Sequence, residues 1–382
     1  MGVVTRPKKR RLQEERLRDR ISSLPDDVLV DIVSFLPTKE GARTQVLSSR
    51  WRHLWRAAPL NLSPVGRACG IPVGEVSRIL AAHPGPGRRF SMPECYLSYD
   101  DEYSETTLDG WLRSPSLDDL RELEFQPYPR LLLPPSLHRF SSTLRVARFG
   151  GCTLPDGDHG GALLLPVLES LTLCDVCISG NSLHALLAGC PVLQSLALFD
   201  NYGFPRLQIV SPSLRSISVG CSYRSLSLQQ LVIEDAPCLE GLLYSGRIWM
   251  DIWVISAPRL ATLGKLFDNR PRIQFSDTVF QGSAVVSMMN VVESVKVLSL
   301  SDVKLCLDVV INLLKCFPHL EKLYIKATSD CVENTWYQTN PELIGTLDIR
   351  LKKIVLRNYQ GSKSHVDFVR FFLSNASMLW SH

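Results

Sequence analysis

The chain has 382 residues, of which 45% are hydrophobic, so it carries enough apolar residues for a folded core and too many for a disordered protein. Its formal net charge is only +4, which excludes a nucleic-acid-binding protein that is basic over its whole length. It contains no apolar run of about eighteen residues and no apolar core of a secretory signal peptide near its start, so we expect a soluble, intracellular protein.

The first predicted element, residues 1–19, is a basic and disordered tail. The tract RPKKRR occupies residues 6–11 of this tail. Short Lys/Arg clusters are nuclear localisation signals in some proteins and solvated tails in others, and both alternatives stay open here. The expected localisation is therefore the nucleus, the cytoplasm or both.

The next segment, residues 20–60, is predicted to form three short helices. Pro25 suits the first helical position because its missing N–H would lack a partner there, and Asp26 and Asp27 complement the positive end of the helix dipole. Apolar residues then recur at three- and four-residue spacing up to Pro37, which ends the helix. These apolar residues are Val28, Leu29, Ile32, Val33, Phe35 and Leu36.

The second and third helices of this segment follow closely. Thr38 is predicted to cap the second helix, and Ser48 or Ser49 the third. In the third helix Trp51 and Trp55 are four residues apart and share a face. A unit of about forty residues is too small to bury so many large apolar side chains by itself. We therefore expect a partner protein to cover part of it.

The sequence LPDDVLVDIVSFLPTKEGARTQVLSSRWRHLW in this segment closely resembles the F-box of plant F-box proteins with leucine-rich repeats. The resemblance implies that the segment binds a Skp-type adaptor and, through it, a cullin and a RING subunit. It also implies a set of residues that bind or support the adaptor, although an alternative is that several of them only pack the three helices together. The set is Leu24, Pro25, Ile32, Leu36, Val46, Leu47, Trp51 and Trp55.

Residues 61–110 are predicted to hold a linker and irregular first repeats. The stretch AAHPGPGRRF at residues 81–90 is rich in proline and glycine, as is typical of a loop.

A sequence repeat runs through most of the remaining chain. Its pattern, P-x-L-x-x-L-x-L, is clear at Pro166, Pro191 and Pro318, and it recurs elsewhere in weaker form or without the proline. The first apolar positions are separated by 24, 24, 25, 21, 25, 21, 35, 25 and 31 residues, and seven of these nine spacings fall in the range of leucine-rich repeats. The positions are Leu120, Leu144, Leu168, Leu193, Leu214, Leu239, Leu260, Val295, Leu320 and Leu351.

Two repeats also share the sequence that precedes the pattern. LHALLAGCPVLQSLAL and VINLLKCFPHLEKLYI align over sixteen positions, and each is predicted as a short helix followed by a strand. One helix and one strand cannot close a core, but stacked units bury a continuous one. The predicted fold class is α/β: a short three-helix F-box, then a degenerate leucine-rich-repeat solenoid over residues 111–317, with parallel strands on the concave face and short helices outside.

The alternation of side chains along each strand predicts which of them point out from the concave face. Near the C-terminal end they include several cations, which suggests a surface that receives an acidic segment of a substrate. Ordinary solvation of exposed strand positions is the alternative. The predicted substrate-facing residues are Phe199, Lys322, Tyr324, Lys326, Lys353 and Arg357.

Residues 318–382 resemble the FBD-like domain that often closes plant F-box proteins with leucine-rich repeats. The resemblance rests on LEKLYI and on LKKIVLRNYQGSKSHVDFVRFFLSNASML. That domain usually continues beyond the WSH with which this chain stops at His382, so a complete and a truncated C-terminal domain are both open alternatives.

The sequence offers little for enzymatic chemistry. Cys174 and Cys177 form the pair CDVC, but no second pair of zinc ligands follows at a matching spacing. Asp156, Asp158 and His159 lie in LPDGDHGG, whose residue types a turn needs for its backbone. No nucleophile motif or phosphate-binding Gly-rich loop occurs, so we expect no catalytic residues, no metal and no cofactor.

Together these features favour a non-catalytic substrate-recognition subunit of an SCF-type (Skp–cullin–F-box) ubiquitin ligase, which brings an unknown target protein to the complex. A leucine-rich-repeat scaffold that acts outside a ligase is the alternative, and a sensor whose solenoid holds a small molecule is a third. We expect no nucleic-acid or membrane partner.

Overall fold

A computed structural model of the chain describes residues 21, 23–62, 73–83, 85–96, 105–128, 130–155, 163–222, 228–246, 248–328 and 350–375. The predicted basic tail and the residues Asp156, Asp158 and His159 lie outside these ranges. Within the described ranges, no helix has the length and apolar content needed to cross a membrane. The chain divides into two compact units, Met1–Ala147 and Arg148–His382.

The described part of the first unit starts with the three predicted helices, whose boundaries differ slightly from the expectation. Pro25 lies just before the first helix with an extended backbone instead of occupying its first turn. Pro37 likewise precedes the second helix, so Thr38 begins that helix and does not cap it. Ser48 precedes the third helix, but its hydroxyl makes no capping hydrogen bond. The helices are α1 (Asp26–Ser34), α2 (Thr38–Arg43) and α3 (Ser49–Ala57), with a 3-10 turn at Thr44–Val46 between the last two.

Hydrogen bonds join these helices to the strand that follows them. The Thr38 hydroxyl donates to the Asn61 carbonyl over 2.6 Å. The Asn61 side-chain amide donates to the carbonyls of Ser34 and Leu36, which are left free at the end of α1. The helical module is thereby fixed to the first strand of its own unit.

The rest of the first unit is already built from repeat-like elements. The predicted linker region contains a strand, a helix and a second strand, and the first three strands pair in parallel. The elements are β1 (Leu60–Leu62), α4 (Val73–Ala82), β2 (Gly87–Tyr96), α5 (Glu105–Leu112), β3 (Glu122–Tyr128), β4 (Leu131–Leu132) and β5 (Val146–Gly150), the last of which crosses into the second unit.

The second unit contains a parallel sheet with one strand from each repeat. Its strands pair in the order in which they follow each other along the chain. They are β7 (Ser170–Cys174), β8 (Ser195–Phe199), β10 (Ser216–Gly220), β12 (Gly241–Tyr244), β14 (Thr262–Leu266), β18 (Val297–Val303), β19 (Lys322–Ala327) and β20 (Lys353–Arg357).

Burial supports the repeat spacing found in the sequence. All ten marker positions, from Leu120 to Leu351, are at most 4% exposed. Within each strand the next apolar residues alternate with more exposed ones, as in β7 and β8, where Leu171, Leu173, Leu196 and Leu198 are buried. The leucine-rich-repeat fold with parallel strands is therefore confirmed.

The outer side of the repeats differs from the expectation of short helices throughout. Helices precede the strands of only two described repeats of this unit, as α6 (Gly180–Ala188) and α7 (Leu307–Cys316), and a further helix, α8 (Lys363–Asn375), follows β20. Between residues 206 and 287 the corresponding segments are strands of a second sheet. The strands are β9 (Arg206–Val210), β11 (Gln230–Asp235), β13 (Asp251–Val254), β15 (Arg272–Phe275), β16 (Thr278–Gln281) and β17 (Ala284–Ser287), while β6 (Cys152–Thr153) belongs to a short separate pair.

The second sheet explains one irregular spacing. Strands β9, β11, β13 and β15 are parallel, one per repeat, and β16 and β17 then turn back antiparallel. This added hairpin lies between Leu260 and Val295, where the repeat spacing lengthens to 35 residues.

A buried asparagine links two neighbouring repeats. Asn201 follows β8 and is 3% exposed. Its side-chain oxygen accepts from the Val176 N–H over 3.0 Å, and its amide donates to the Leu173 carbonyl over 3.0 Å. Both partners belong to the preceding repeat, so this side chain fixes the turn after β7 and gives the buried Val176 N–H a hydrogen-bond partner.

Candidate protein-interaction surfaces

Helix α1 exposes an apolar stripe. Val28, Ile32 and Phe35 are spaced by four and three residues, so they lie along one side of the helix, and all three are exposed. Leu29 and Val33, on the other side, are fully buried. The helix therefore uses one apolar side for the core of its own unit and presents a second one to solvent.

The turn between α2 and α3 adds two further exposed apolar residues. Val46 is 85% and Leu47 63% exposed. Together with Ile21 and the α1 stripe, six of the 21 large exposed apolar residues in the described part of the chain fall between residues 21 and 47. We call these six the apolar set: Ile21, Val28, Ile32, Phe35, Val46 and Leu47. Exposed apolar side chains grouped in this way are typical of protein-interaction sites.

The predicted adaptor-binding residues fall into three groups. Ile32, Val46 and Leu47 belong to the apolar set, and Pro25 is also exposed. Leu24 and Leu36 are half-buried. The third group consists of Trp51 and Trp55, which are only 8% exposed. Adaptor binding by any of these residues stays a prediction, and for the two tryptophans the geometry favours the alternative that they pack the module.

Trp55 packs against both α2 and the region after α4. Gly41 lies so close to its ring that a methyl group at this position would be less than 3.0 Å from Trp55 Cζ3. On another side the His83 ring meets Trp55 edge to face, with 5.0 Å between the ring centroids. From the sequence, Trp51 and Trp55 resemble interface anchors. In the structure they lie in the interior of the first unit.

In its neutral form, the His83 ring has a defined tautomer. The Gly85 N–H donates to Nδ1 over 3.0 Å, so the ring proton lies on Nε2, which is 3.2 Å from the Trp55 carbonyl oxygen. Burial lowers the pKa of His83 below its usual value, and hydrogen bonds with the backbone of Gly85 and Trp55 oppose this only in part.

Sequence reasoning left Val28 and Phe35 out of the predicted site. Phe35 is 70% exposed, and the Arg88 guanidinium lies over its ring at 5.0 Å from the centroid. The spacing of Val28 and Phe35 from Ile32 could have indicated that they belong to the same site. However, all the apolar residues of α1 fit a helical pattern. The pattern alone does not say which side faces the core.

The outward face of the second unit's parallel sheet changes character along the repeats. The outward positions of β7, β8 and β10 are small or uncharged residues, among them Ser170, Thr172, Ala197 and Ser218. The predicted residue Phe199 lies here and is half-buried. The first half of this face is therefore uncharged along these three strands.

The last two strands make the other half basic. Lys322 and Lys326 on β19 are exposed and lie beside Lys353 and Arg357 on β20, which are also exposed. Tyr324 lies between the two lysines and is half-buried. The structure thus brings five of the six predicted substrate-facing residues together, with Phe199 several strands away, but whether they bind a substrate stays a prediction.

Three of the described cysteines have raised thiol pKa values. Burial raises the pKa of Cys190 and of Cys316 to about 11, and it also raises the pKa of Cys174. A reactive cysteine needs a lowered pKa, because the thiolate is the attacking form. In the described ranges, no three His, Cys, Asp or Glu side chains are grouped to hold a metal ion.

Three family models match the chain. The model for the leucine-rich repeats of FBD-associated F-box protein At5g56370 matches residues 108–325, which is more than half of the chain. The F-box domain model matches residues 21–63, the part that carries the apolar set. The FBD model matches residues 343–380, of which β20 and α8 are described.

Curated relatives agree with these models. FBD-associated F-box protein At5g60610 of Arabidopsis thaliana is 26% identical over 94% of this chain and 98% of its own length. F-box/LRR-repeat protein At1g55660 from the same plant is 29% identical, over 82% of this chain and 86% of its own length. F-box/LRR-repeat protein At3g59200 is 34% identical over 60% of this chain, which covers about half, 46%, of that relative.

Proposed function

The chain belongs to the family of FBD-associated F-box proteins with leucine-rich repeats, and from this premise we propose that it is the substrate-recognition subunit of an SCF-type ubiquitin ligase. In this function the F-box module binds a Skp-type adaptor, and the repeats bind the protein that is to be ubiquitinated. The observation that carries the proposal is the apolar set, which lies within the residues matched by the F-box model.

The apolar set suits adaptor binding for energetic reasons. Each large apolar side chain that is fully covered contributes about 1.5–3 kcal/mol relative to leaving it in water. Six partly exposed side chains therefore offer several kcal/mol, enough to offset part of the entropic cost of association. Exposing these side chains to water has a free-energy cost. Burial against a partner protein removes that cost.

The proposed role requires no catalytic residue in this chain. A target held by the repeats and a ubiquitin-loaded enzyme held through the adaptor are tethered to each other, so their reaction proceeds at a high effective concentration. The raised thiol pKa values fit this role, since they oppose a covalent ubiquitin intermediate on the buried cysteines.

The test is capture of a purified Skp-type adaptor by the full chain. We expect the double variant Ile32→Glu/Val46→Glu to lose at least about tenfold in affinity, because both charges would be placed where apolar contact is needed. A matched control is Val286→Glu, which puts the same charge on a 63% exposed apolar position of β17. The control should bind like the unmodified chain.

Two results contradict the proposal in different ways. If the double variant binds as well as the unmodified chain, the apolar set is not the adaptor surface. If the unmodified chain does not capture the adaptor at all, the protein is a leucine-rich-repeat scaffold that acts outside a ligase.

A further inference from the structure

A cavity of about 330 Å³ opens on the basic half of the sheet face in the second unit. Its wall carries three cations, Lys265, Lys326 and Arg357, and one carboxylate, that of Asp302. The hydroxyl groups of Ser299 and Ser301 and the Tyr324 ring complete the polar part of the wall. The cavity therefore combines positive charge with hydrogen-bond donors.

Two irregularities in the strand pairing bring charged residues to this wall. The register between β14 and β18 shifts between Leu263 and Leu266, and Lys265 within this shift is exposed. The register between β18 and β19 shifts between Ser301 and Val303, which leaves Asp302 between them with a left-handed φ of 53°. Bulges of this kind redirect side chains and are common beside binding sites.

The charges at the wall do not balance. Lys326 Nζ lies 2.8 Å from Asp302 Oδ1, so this pair is compensated. Neither Lys265 nor Arg357 forms an ion pair with any residue that the structure describes. Three cations and one carboxylate leave the cavity with a net charge of +2 among the described residues, so an anionic ligand would complement it.

The two uncompensated cations are well separated. Lys265 is on β14 and Arg357 on β20, with β18 and β19 between them. Adjacent strands are about 4.8 Å apart, so three steps separate the two backbones by about 14 Å. An extended peptide covers this distance in about four residues. Such spacing suits two singly charged groups on one peptide better than a single compact anion.

We propose that this cavity binds two carboxylates, four residues apart, on an extended acidic segment of the substrate protein, an inference that rests on the proposed function. Arg357 would pair with one carboxylate and Lys265 with the other, while the serine hydroxyls donate to the intervening backbone. Carboxylates fit better than a phosphate dianion because Lys265 and Arg357 are three strand steps apart, and two separated single charges match that spacing while one compact double charge does not. The neutral face formed by β7, β8 and β10 leaves the rest of the segment free of charge repulsion.

The probe is a fluorescein-labelled peptide of about ten residues with two glutamates four positions apart in a serine, glycine and alanine background. Fluorescence anisotropy with the full chain measures its dissociation constant at low and at physiological salt. We expect binding that weakens with salt, and binding about tenfold weaker in the double variant Lys265→Ala/Arg357→Ala. The same peptide with glutamines in place of the glutamates should not bind.

A matched control is Lys322→Ala/Lys353→Ala. These lysines are cross-strand partners near the start of β19 and β20, so the control removes the same charge from the same sheet face outside the cavity. Equal loss in the two double variants would mean that diffuse charge attracts the peptide, and this overturns the cavity site. Absence of binding by the unmodified chain overturns it as well, and so does binding of a phosphoserine peptide in preference to the diglutamate peptide.

Adaptor capture separates this inference from the function on which it rests. The variant Lys265→Ala/Arg357→Ala should capture the adaptor like the unmodified chain and keep its melting temperature, since both changed side chains are exposed. Loss of peptide binding with normal adaptor capture confirms the cavity alone. If the unmodified chain binds the peptide but not the adaptor, the ligase function fails while the acidic-segment site stands.

Discussion

Gly41 in α2 makes room for the Trp55 ring because glycine has no side chain. Replacing a helical glycine with alanine normally stabilises a helix by up to about 1 kcal/mol. At Gly41 the added methyl group would collide with the Trp55 ring, which is itself packed against His83. Overpacking costs about 1–3 kcal/mol, so we expect Gly41→Ala to lower the free energy of unfolding of the first unit by about 1 kcal/mol.

Gly110→Ala is the matched control for Gly41→Ala. Gly110 lies in α5 of the same unit, and an added methyl group there has no atom within 4 Å. We expect this change to stabilise the unit by about 0.5 kcal/mol. Urea denaturation of the two variants checks both signs, and equal effects would show that the contact between Gly41 and Trp55 has no energetic weight.

His83 predicts a pH dependence for the first unit. Its pKa is lowered in the folded state, so below its unfolded value of about 6.5 the unfolded chain binds a proton that the folded chain does not. Stability is therefore fully present above about pH 6.5 and decreases as the pH falls from there towards the lower folded value. We expect the unit to be less stable at about pH 5.5 than at about pH 7.5.

The variant His83→Gln identifies the source of this dependence. Glutamine stays neutral, so the difference in stability between the two pH values should become smaller. Thermal unfolding followed by tryptophan fluorescence measures it, because Trp55 contacts the imidazole directly. An undiminished difference would assign the pH dependence to other groups.

At the scale of residues, the sequence identified the important positions better than it identified their structural roles. The ten repeat markers are all buried because a leucine every two dozen residues has only one role in a stacked fold. In the F-box, Trp51 and Val46 are both large and apolar, yet one is buried and the other exposed. Tertiary packing makes that choice, and local sequence does not contain it.

Asn201 predicts the strength of the connection between neighbouring repeats. Replacing it with alanine removes the amide's bond to the Leu173 carbonyl and leaves the buried Val176 N–H without its side-chain partner. An orphaned buried group costs about 1–3 kcal/mol, so we expect Asn201→Ala to lower the free energy of unfolding of the second unit by about 1–3 kcal/mol.

The control for Asn201→Ala is Asn312→Ala. Asn312 is exposed in α7, so its removal should change stability by no more than about 0.5 kcal/mol. Guanidinium denaturation of both variants makes the comparison. A loss of less than about 0.5 kcal/mol at Asn201 would mean that water replaces its side chain in the turn at little cost.

The elements of the parallel sheet were predictable, and those of the second sheet were not. Each strand of the second unit's first parallel sheet, from β7 to β20, lies inside the repeated pattern, so the period predicts it. Strands such as β9 and β13 lie between patterns, are only four or five residues long, and gain stability only by pairing with strands about twenty residues away. Helices occupy the equivalent places at α6 and α7, so the expectation of helices throughout was reasonable and wrong for the middle repeats.

At the scale of the whole molecule, the apolar set and the acidic-segment cavity belong to different units of the chain. One surface is apolar and the other positively charged, so they select partners by different physical means. Under the proposed function, the first determines which complex the protein joins and the second contributes to the choice of target. Changes to one surface should therefore leave binding at the other intact.

This independence predicts opposite results for the two double variants in cells. In affinity capture with the proteasome blocked, Ile32→Glu/Val46→Glu should lose the adaptor, cullin and RING subunits and retain the proteins bound by the repeats. Lys265→Ala/Arg357→Ala should retain the ligase subunits and lose proteins with paired acidic residues. Because tethering requires both contacts at once, each variant should also leave such targets unmodified. If either variant loses both classes of partner while its melting temperature is unchanged, the two surfaces are coupled and the division of roles is wrong.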